Sequence, residues 1–100
     1  MEKVDPQSLR KALGDLPEWT LSGERIVRRF RAQTAREAIR TFTRIADAAE
    51  AANHHPDIAW SYDSLNIALT THDAGGITTR DVQLARVIED ILSDSKSARE

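Results

Sequence analysis

The spacing of apolar residues changes abruptly at Pro56. Before it, Ala35, Ala38, Ile39, Phe42, Ile45, Ala46 and Ala49 recur at helical intervals. After it, Ile58, Trp60 and Tyr62 alternate with Asp57, Ala59 and Ser61, and Leu65, Ile67 and Leu69 alternate with Asn66, Ala68 and Thr70. Proline lacks the amide a helix needs, and a period of two belongs to strands buried on one face. The spacing therefore predicts a helix over 35–52, then a hairpin turning at Asp63-Ser64. Thr34, followed three positions later by Glu37, has the capping-box spacing that starts such a helix.

The flanking segments parse the same way. Asp5-Pro6 offers a cap followed by proline at the first helical position, Leu9, Ala12 and Leu13 form one stripe, and Gly14 ends it. Trp19 and Leu21 alternate with polar neighbours, Ser22-Gly23 reads as a turn, and 24–31 reads as a second strand. Gly75-Gly76 breaks the chain, and Thr78 with Asp81 caps a last helix whose Val82, Leu84, Ala85, Ile88, Ile91 and Leu92 face inward. Residues 90–100 read as a fraying tail.

The order is α-β-β-α-β-β-α. It predicts an α+β fold: a four-stranded antiparallel sheet with three helices on one face. Ala59, Ser61, Asn66, Ala68 and Thr70 would line the other face, which is small and weakly charged and so invites a second subunit. Trp19 and Trp60 are expected in the core.

Size and composition narrow the function. One hundred residues without a linker or repeat are expected to form a single domain over 1–100. The chain has no Cys, which excludes a disulfide scaffold, a thiolate metal site and a cysteine nucleophile. No apolar run approaches the ~20 residues of a membrane span. Met1 to Pro6 lacks the basic-then-apolar pattern of a signal peptide, so a cytoplasmic protein is expected. Seven Arg between Glu24 and Arg44 give that stretch a charge of +5, although the whole chain is at −2. The Arg36, Arg40 and Arg44 stripe reads as a solvated helix face supported by Glu37 or Asp47, and nucleic-acid binding is not expected. Gly75-Gly76 has no Gly-Lys-Ser/Thr after it and is no phosphate loop.

All three His, His54, His55 and His72, fall within 19 residues of one another. Imidazole is the side chain whose ordinary pKa lies near neutrality, so this cluster points to general acid–base chemistry. His54 and His55 sit on adjacent extended residues and should point in different directions. Glu50, about 80° from the centre of the helix's apolar face, is expected at a half-buried rim where desolvation raises a carboxyl pKa. His72 follows the fourth strand on the side of Thr70 if the strand stays regular, and either Asp73 or Asp81 could orient an imidazole. Adjacent histidines with no His-x-x-x-His pair are poor metal-ligand spacing, so no metal is expected.

Glu50, then His54-His55-Pro56 after three positions, Tyr62, His72 and Asp81 together resemble the motif of the pterin-4a-carbinolamine dehydratase family. The stretches His54–Asp57 and Leu69–Thr78 are similar to bacterial members, as more weakly are Trp19–Leu21 and the last helix. The resemblance implies the fold order given above. It implies dehydration of 4a-hydroxytetrahydrobiopterin to the quinonoid dihydropterin, in recycling tetrahydrobiopterin, without a cofactor. By similarity His54 and His72 are the acid–base pair, and His55 positions the pterin. Glu50 holds the pterin or tunes an imidazole, Thr70 and Thr71 contact the ring, and Asp81 supports the site. A homodimer or homotetramer is expected. Two alternatives stand beside this: another pterin or molybdopterin pathway, and a non-catalytic interaction module using the open sheet face or the Arg stripe.

Overall fold

The structure is a computed structural model that describes residues 2–97. The chain runs α1 (Pro6–Gly14), β1 (Trp19–Ser22), β2 (Arg25–Arg31), α2 (Ala35–Ala52), β3 (Asp57–Ser61), β4 (Ser64–Leu69), a 3-10 turn (His72–Ala74) and α3 (Thr79–Ser97). The strands form one antiparallel sheet in the order β1-β2-β4-β3. The α+β architecture expected from the sequence is therefore present, with β1 and β3 at the edges. Among the described residues, no helix is long and apolar enough to cross a membrane.

Pairing of Ile26 with Leu69, Arg28 with Ile67 and Phe30 with Leu65 sets one face of β2 and β4 toward the helices. Ile26, Leu65, Ile67 and Leu69 are fully buried there against Ile45, Ile88 and Leu92 from α2 and α3. Each such side chain contributes roughly 1.5–3 kcal/mol on burial. Asp5 caps α1 by accepting from the Ser8 amide and hydroxyl, both at 2.9 Å. These bonds, the amide first, hold its carboxyl below the ordinary carboxylate range. Thr34 accepts from the Glu37 amide at 3.1 Å and starts α2 where the spacing placed it.

The end of α2 governs the site. Asn53 adopts φ 51° and ψ 42°, the left-handed conformation that most residues avoid and asparagine tolerates. The Asn53 amide donates to the Glu50 carbonyl at 3.2 Å, and the His54 amide to that of Ala49 at 3.1 Å. This closing pattern usually ends in glycine. It satisfies the last carbonyls and directs His54 inward.

Several expectations need correction. The buried stripe of α2 is Ala38, Thr41, Ile45 and Ala49, while Ile39 is exposed, because α2 packs against α3 as well as the sheet. The second hairpin turns one residue early, at Tyr62-Asp63. Ser61 pairs with Ser64, the Asp63 carbonyl accepts from the Ala32 amide at 2.8 Å, and its carboxylate from Arg31 at 3.1 Å. These bonds hold Asp63 inward and leave Tyr62 exposed at φ 54°. Trp19 is core, but Trp60 is 49% exposed because β3 is an edge strand. α3 does not fray at residue 90: Leu92 is buried, and Asp94 meets Arg44 at 3.0 Å. Residues 98–100 of the expected tail lie outside the described residues.

The open sheet face also differs. The register that turns Ile26, Arg28 and Phe30 inward turns Arg25, Arg29 and Arg31 outward beside Asn66 and Ser64. That face carries a row of guanidinium groups, and Ala68 on it is buried. The second hairpin alone suggested a weakly charged surface, because it is β2 that supplies the charge. Arg28 faces inward and is 4% exposed. Its Nε donates to Glu89 Oε1 at 2.8 Å and its Nη2 to Oε2 at 3.2 Å, while the Trp19 indole N–H shares Oε1 at 2.8 Å. In the Arg stripe, Arg40 pairs with Glu37 at 2.9 Å.

Candidate active site

The left-handed exit of α2 carries His54 into the protein, where it is nine-tenths buried. Its Nε2 lies 2.5 Å from Oδ1 of Asp81, which stands fully buried in the first turn of α3. A carboxylate is favoured at a helix N-terminus, where the unpaired amides carry partial positive charge. Oδ2 of Asp81 accepts from the Thr78 amide and from the Thr71 hydroxyl, each at 2.8 Å. Of the two aspartates left open by the sequence, Asp81 orients an imidazole, and that imidazole is His54. Asp73 is exposed.

His55 points elsewhere, as adjacent extended residues should. Its Nε2 is hydrogen-bonded to the Glu50 carboxylate at the surface. Glu50 is not at a half-buried rim: its side chain is 75% exposed, since the rotation of α2 toward α3 moves this position into solvent.

The segment bearing His72 is fixed through its neighbour. Thr71 is buried, its amide donates to the Gly76 carbonyl at 2.9 Å, and its own carbonyl accepts from Ala74 and Gly75. Gly75, at φ 73°, supplies the left-handed step that closes this loop. His72 opens the 3-10 turn and is exposed. Strand pairing stops at Leu69, with one isolated Thr71–Gly76 bridge beyond, so the parity that would group His72 with Thr70 does not extend this far. The Thr70 hydroxyl donates to the Glu24 carbonyl at 2.6 Å.

His54, Thr71 and Asp81 thus meet between the end of α2 and the start of α3, and His72 adjoins them through Thr71, while Glu50 and His55 form a separate pair at the surface. Tyr62 does not. Five strand residues separate it from the His54–Pro56 loop, about 17 Å at the usual rise. Thr78 was legible only as a helix cap, yet its hydroxyl lies 2.8 Å from that of Thr71. Arg80, which donates to the Asn53 carbonyl, carried no signal in the sequence.

Two clefts flank the adjacent histidines. One, of about 560 Å³, lies between α2 and α3 and is lined by His54, Ala51, Arg80, Leu84 and Val87. The other, about 370 Å³, lies between α2 and β3 beside His55, Glu50, Phe42 and Ile58. Both fall within the ~300–1,000 Å³ typical of small-molecule sites. A larger hollow of about 670 Å³ on the open sheet face contains no histidine. Among the described residues, no three His, Cys, Asp or Glu side chains converge as metal ligands. A buried carboxylate on one nitrogen of an imidazole keeps that nitrogen protonated and leaves the other to exchange protons. The arrangement is suited to acid–base catalysis.

The sequence profile of the family described as pterin 4 alpha carbinolamine dehydratase matches residues 2–91. The chain belongs to the pterin-4-alpha-carbinolamine dehydratase family. A Thermomicrobium roseum protein named "Putative pterin-4-alpha-carbinolamine dehydratase" is 40% identical over 93 residues, covering 93% of this chain and 100% of its own. A Brucella melitensis crystal structure, of a transcriptional coactivator/pterin dehydratase, superposes with a TM-score of 0.88 at 27% identity, covering 91% of this chain and 99% of that one. A pterin dehydratase-like protein identified as a RuBisCO assembly factor in the alpha-carboxysome reaches a TM-score of 0.62 at 15% identity, over 74% and 86% of the two chains. At that identity the likeness is one of fold alone.

Proposed function

We propose that this dehydratase-family protein removes water from 4a-hydroxytetrahydrobiopterin, giving the quinonoid dihydropterin in tetrahydrobiopterin recycling. The observation that carries this is the Asp81 carboxylate, which bonds His54 on one oxygen and Thr71 on the other and so joins the two histidine-bearing segments. The 4a-hydroxyl takes a proton, its C–O bond breaks, and water leaves. The adjacent ring nitrogen loses a proton as the C=N bond forms. No electron is transferred, so the reaction itself calls for neither a redox cofactor nor a metal.

In this proposal His54 and His72 share the roles of acid and base. His55, braced by Glu50, positions the pterin, and backbone groups at Thr70 and Thr71 line the ring. The test is turnover of a 4a-hydroxytetrahydropterin by purified protein. His54→Ala and His72→Ala are each expected to lower it by about 10²-fold or more while the fold survives. Wild-type turnover in both variants would sink the proposal.

The unit is one cytoplasmic domain over 1–100 that assembles with itself and binds its pterin, not nucleic acid. Assembly is supported by β3, an edge strand that carries the exposed Trp60. Sedimentation at micromolar concentration should show a dimer or tetramer; a species of 11.2 kDa alone rejects assembly. The exterior row of Arg25, Arg29 and Arg31 favours a second reading, a binding module without catalysis. An inactive purified protein that captures a macromolecular partner through that row would select it.

A further inference from the structure

The Asp81 carboxylate does not stand alone, and the hydroxyls around it have a definite direction. Each hydroxyl carries one proton. Thr71 Oγ1 is 2.8 Å from Asp81 Oδ2 and 2.8 Å from Thr78 Oγ1, whereas Thr78 Oγ1 is 3.5 Å from that same carboxylate oxygen. The ionised carboxylate is the stronger acceptor, so the Thr71 proton goes to Asp81. The Thr78 hydroxyl then donates to Thr71, and the Thr78 amide fills the other position on Oδ2 at 2.8 Å. Oδ2 is held from two sides, and Oδ1 is left facing His54 Nε2.

We infer that Thr71 and Thr78 are positioning residues whose hydroxyl chain fixes the Asp81 carboxylate and, through it, a single tautomer and ring orientation of His54. In that tautomer Nε2 carries the proton and donates to Asp81, and Nδ1 is the nitrogen available for proton transfer. Thr71, Thr78 and Asp81 are buried, so water does not substitute for a missing donor. Thr71 also belongs to the loop that carries His72, and the chain therefore couples the placement of both histidines. The geometry stands by itself; its catalytic consequence rests on the dehydratase proposal.

The test reads the imidazole nitrogens of the resting protein by NMR at pH about 9, where free imidazole is neutral. In the wild type, His54 should show one tautomer, with a slowly exchanging proton on Nε2. A proton on Nδ1, or two tautomers in exchange, overturns the inference without any variant. Thr71→Val and Thr78→Val should each mix the tautomers or abolish the slow exchange. Thr71→Val should also lower kcat about tenfold with KM nearly unchanged, since orientation and not binding is lost. Thr71→Ser should restore both signals. Folded Thr71→Val protein with an unaltered His54 spectrum overturns the inference. A loss of tautomer purity in a protein without dehydratase activity upholds it and rejects the dehydratase proposal instead.

Discussion

Under the proposed dehydratase function, Asp81→Asn is expected to leave a folded protein whose turnover of a 4a-hydroxytetrahydropterin falls by at least about 10²-fold. The substitution preserves shape and one acceptor oxygen. If that oxygen keeps the Thr78 amide and the Thr71 hydroxyl, the new amide group faces His54 Nε2, which is itself a donor in the tautomer inferred above. Two donors cannot share a bond. The imidazole must then move its proton to Nδ1, and the nitrogen that the proposed mechanism uses as an acceptor becomes a donor. If the amide flips, the clash shifts to the Thr78 amide. Asp81→Ala removes the acceptor from three buried donors at once, and should cost at least about 3 kcal/mol at roughly 1–3 per unsatisfied group. Turnover and thermal unfolding of the two variants separate the effects: Asn should lose activity with modest loss of stability, Ala should lose both. Asp81→Asn activity within two- or threefold of wild type, an order-of-magnitude threshold set against the expected loss, would show that the buried pair is not part of the chemistry.

The elements were legible because their signals are local. Alternation at 58–61 and 65–69 shows one buried face without knowledge of any partner, and the Thr34 cap and Pro56 mark the ends of α2. Which strand lies beside which is a long-range fact. Nothing in the alternation of Ile58 and Trp60 says that β3 is an edge, so Trp60 read as core. Nor does the helical period of α2 say that α3 will share its face. That is why Ile39 and Glu50 were read as more buried than they are. At the site, the histidine cluster and the Thr78-x-x-Asp81 cap were both visible. Which imidazole Asp81 would meet was not: His54 and Asp81 are 27 residues apart in the chain, and the left-handed turn at Asn53 brings the first to the second. Asp81 thus read correctly as a cap and as one of two aspartates able to orient an imidazole, while the histidine it meets stayed hidden.

The second large effect lies away from the site, in the pair Arg28 and Glu89. β2 places Arg28 on the inward face by strict alternation, where a hydrophobic residue would be the ordinary choice. The guanidinium is tolerated because Glu89 of α3 meets it with both oxygens and also takes the Trp19 indole proton, so one carboxylate ties α3 to β1 and β2. Glu89→Ala leaves a buried cation with its carboxylate gone. Breaking such a pair from one side costs about 3–5 kcal/mol. The Glu89 side chain is 23% exposed, which favours the lower end of that range. For a domain of this size each kcal/mol moves the melting temperature by about 4–8 °C, so a drop of roughly 12–25 °C is expected. Removing both charges should behave differently. Arg28→Met with Glu89→Leu deletes the desolvation penalty along with the attraction, and the double variant should melt within a few degrees of wild type or above it. Trp19 reports the change independently, because its buried indole loses its acceptor in either case and its fluorescence should shift. A Glu89→Ala protein destabilised by less than about 1 kcal/mol would mean that Arg28 swings to water at little cost. The clasp would then be a consequence of the packing of α3, not a cause of it.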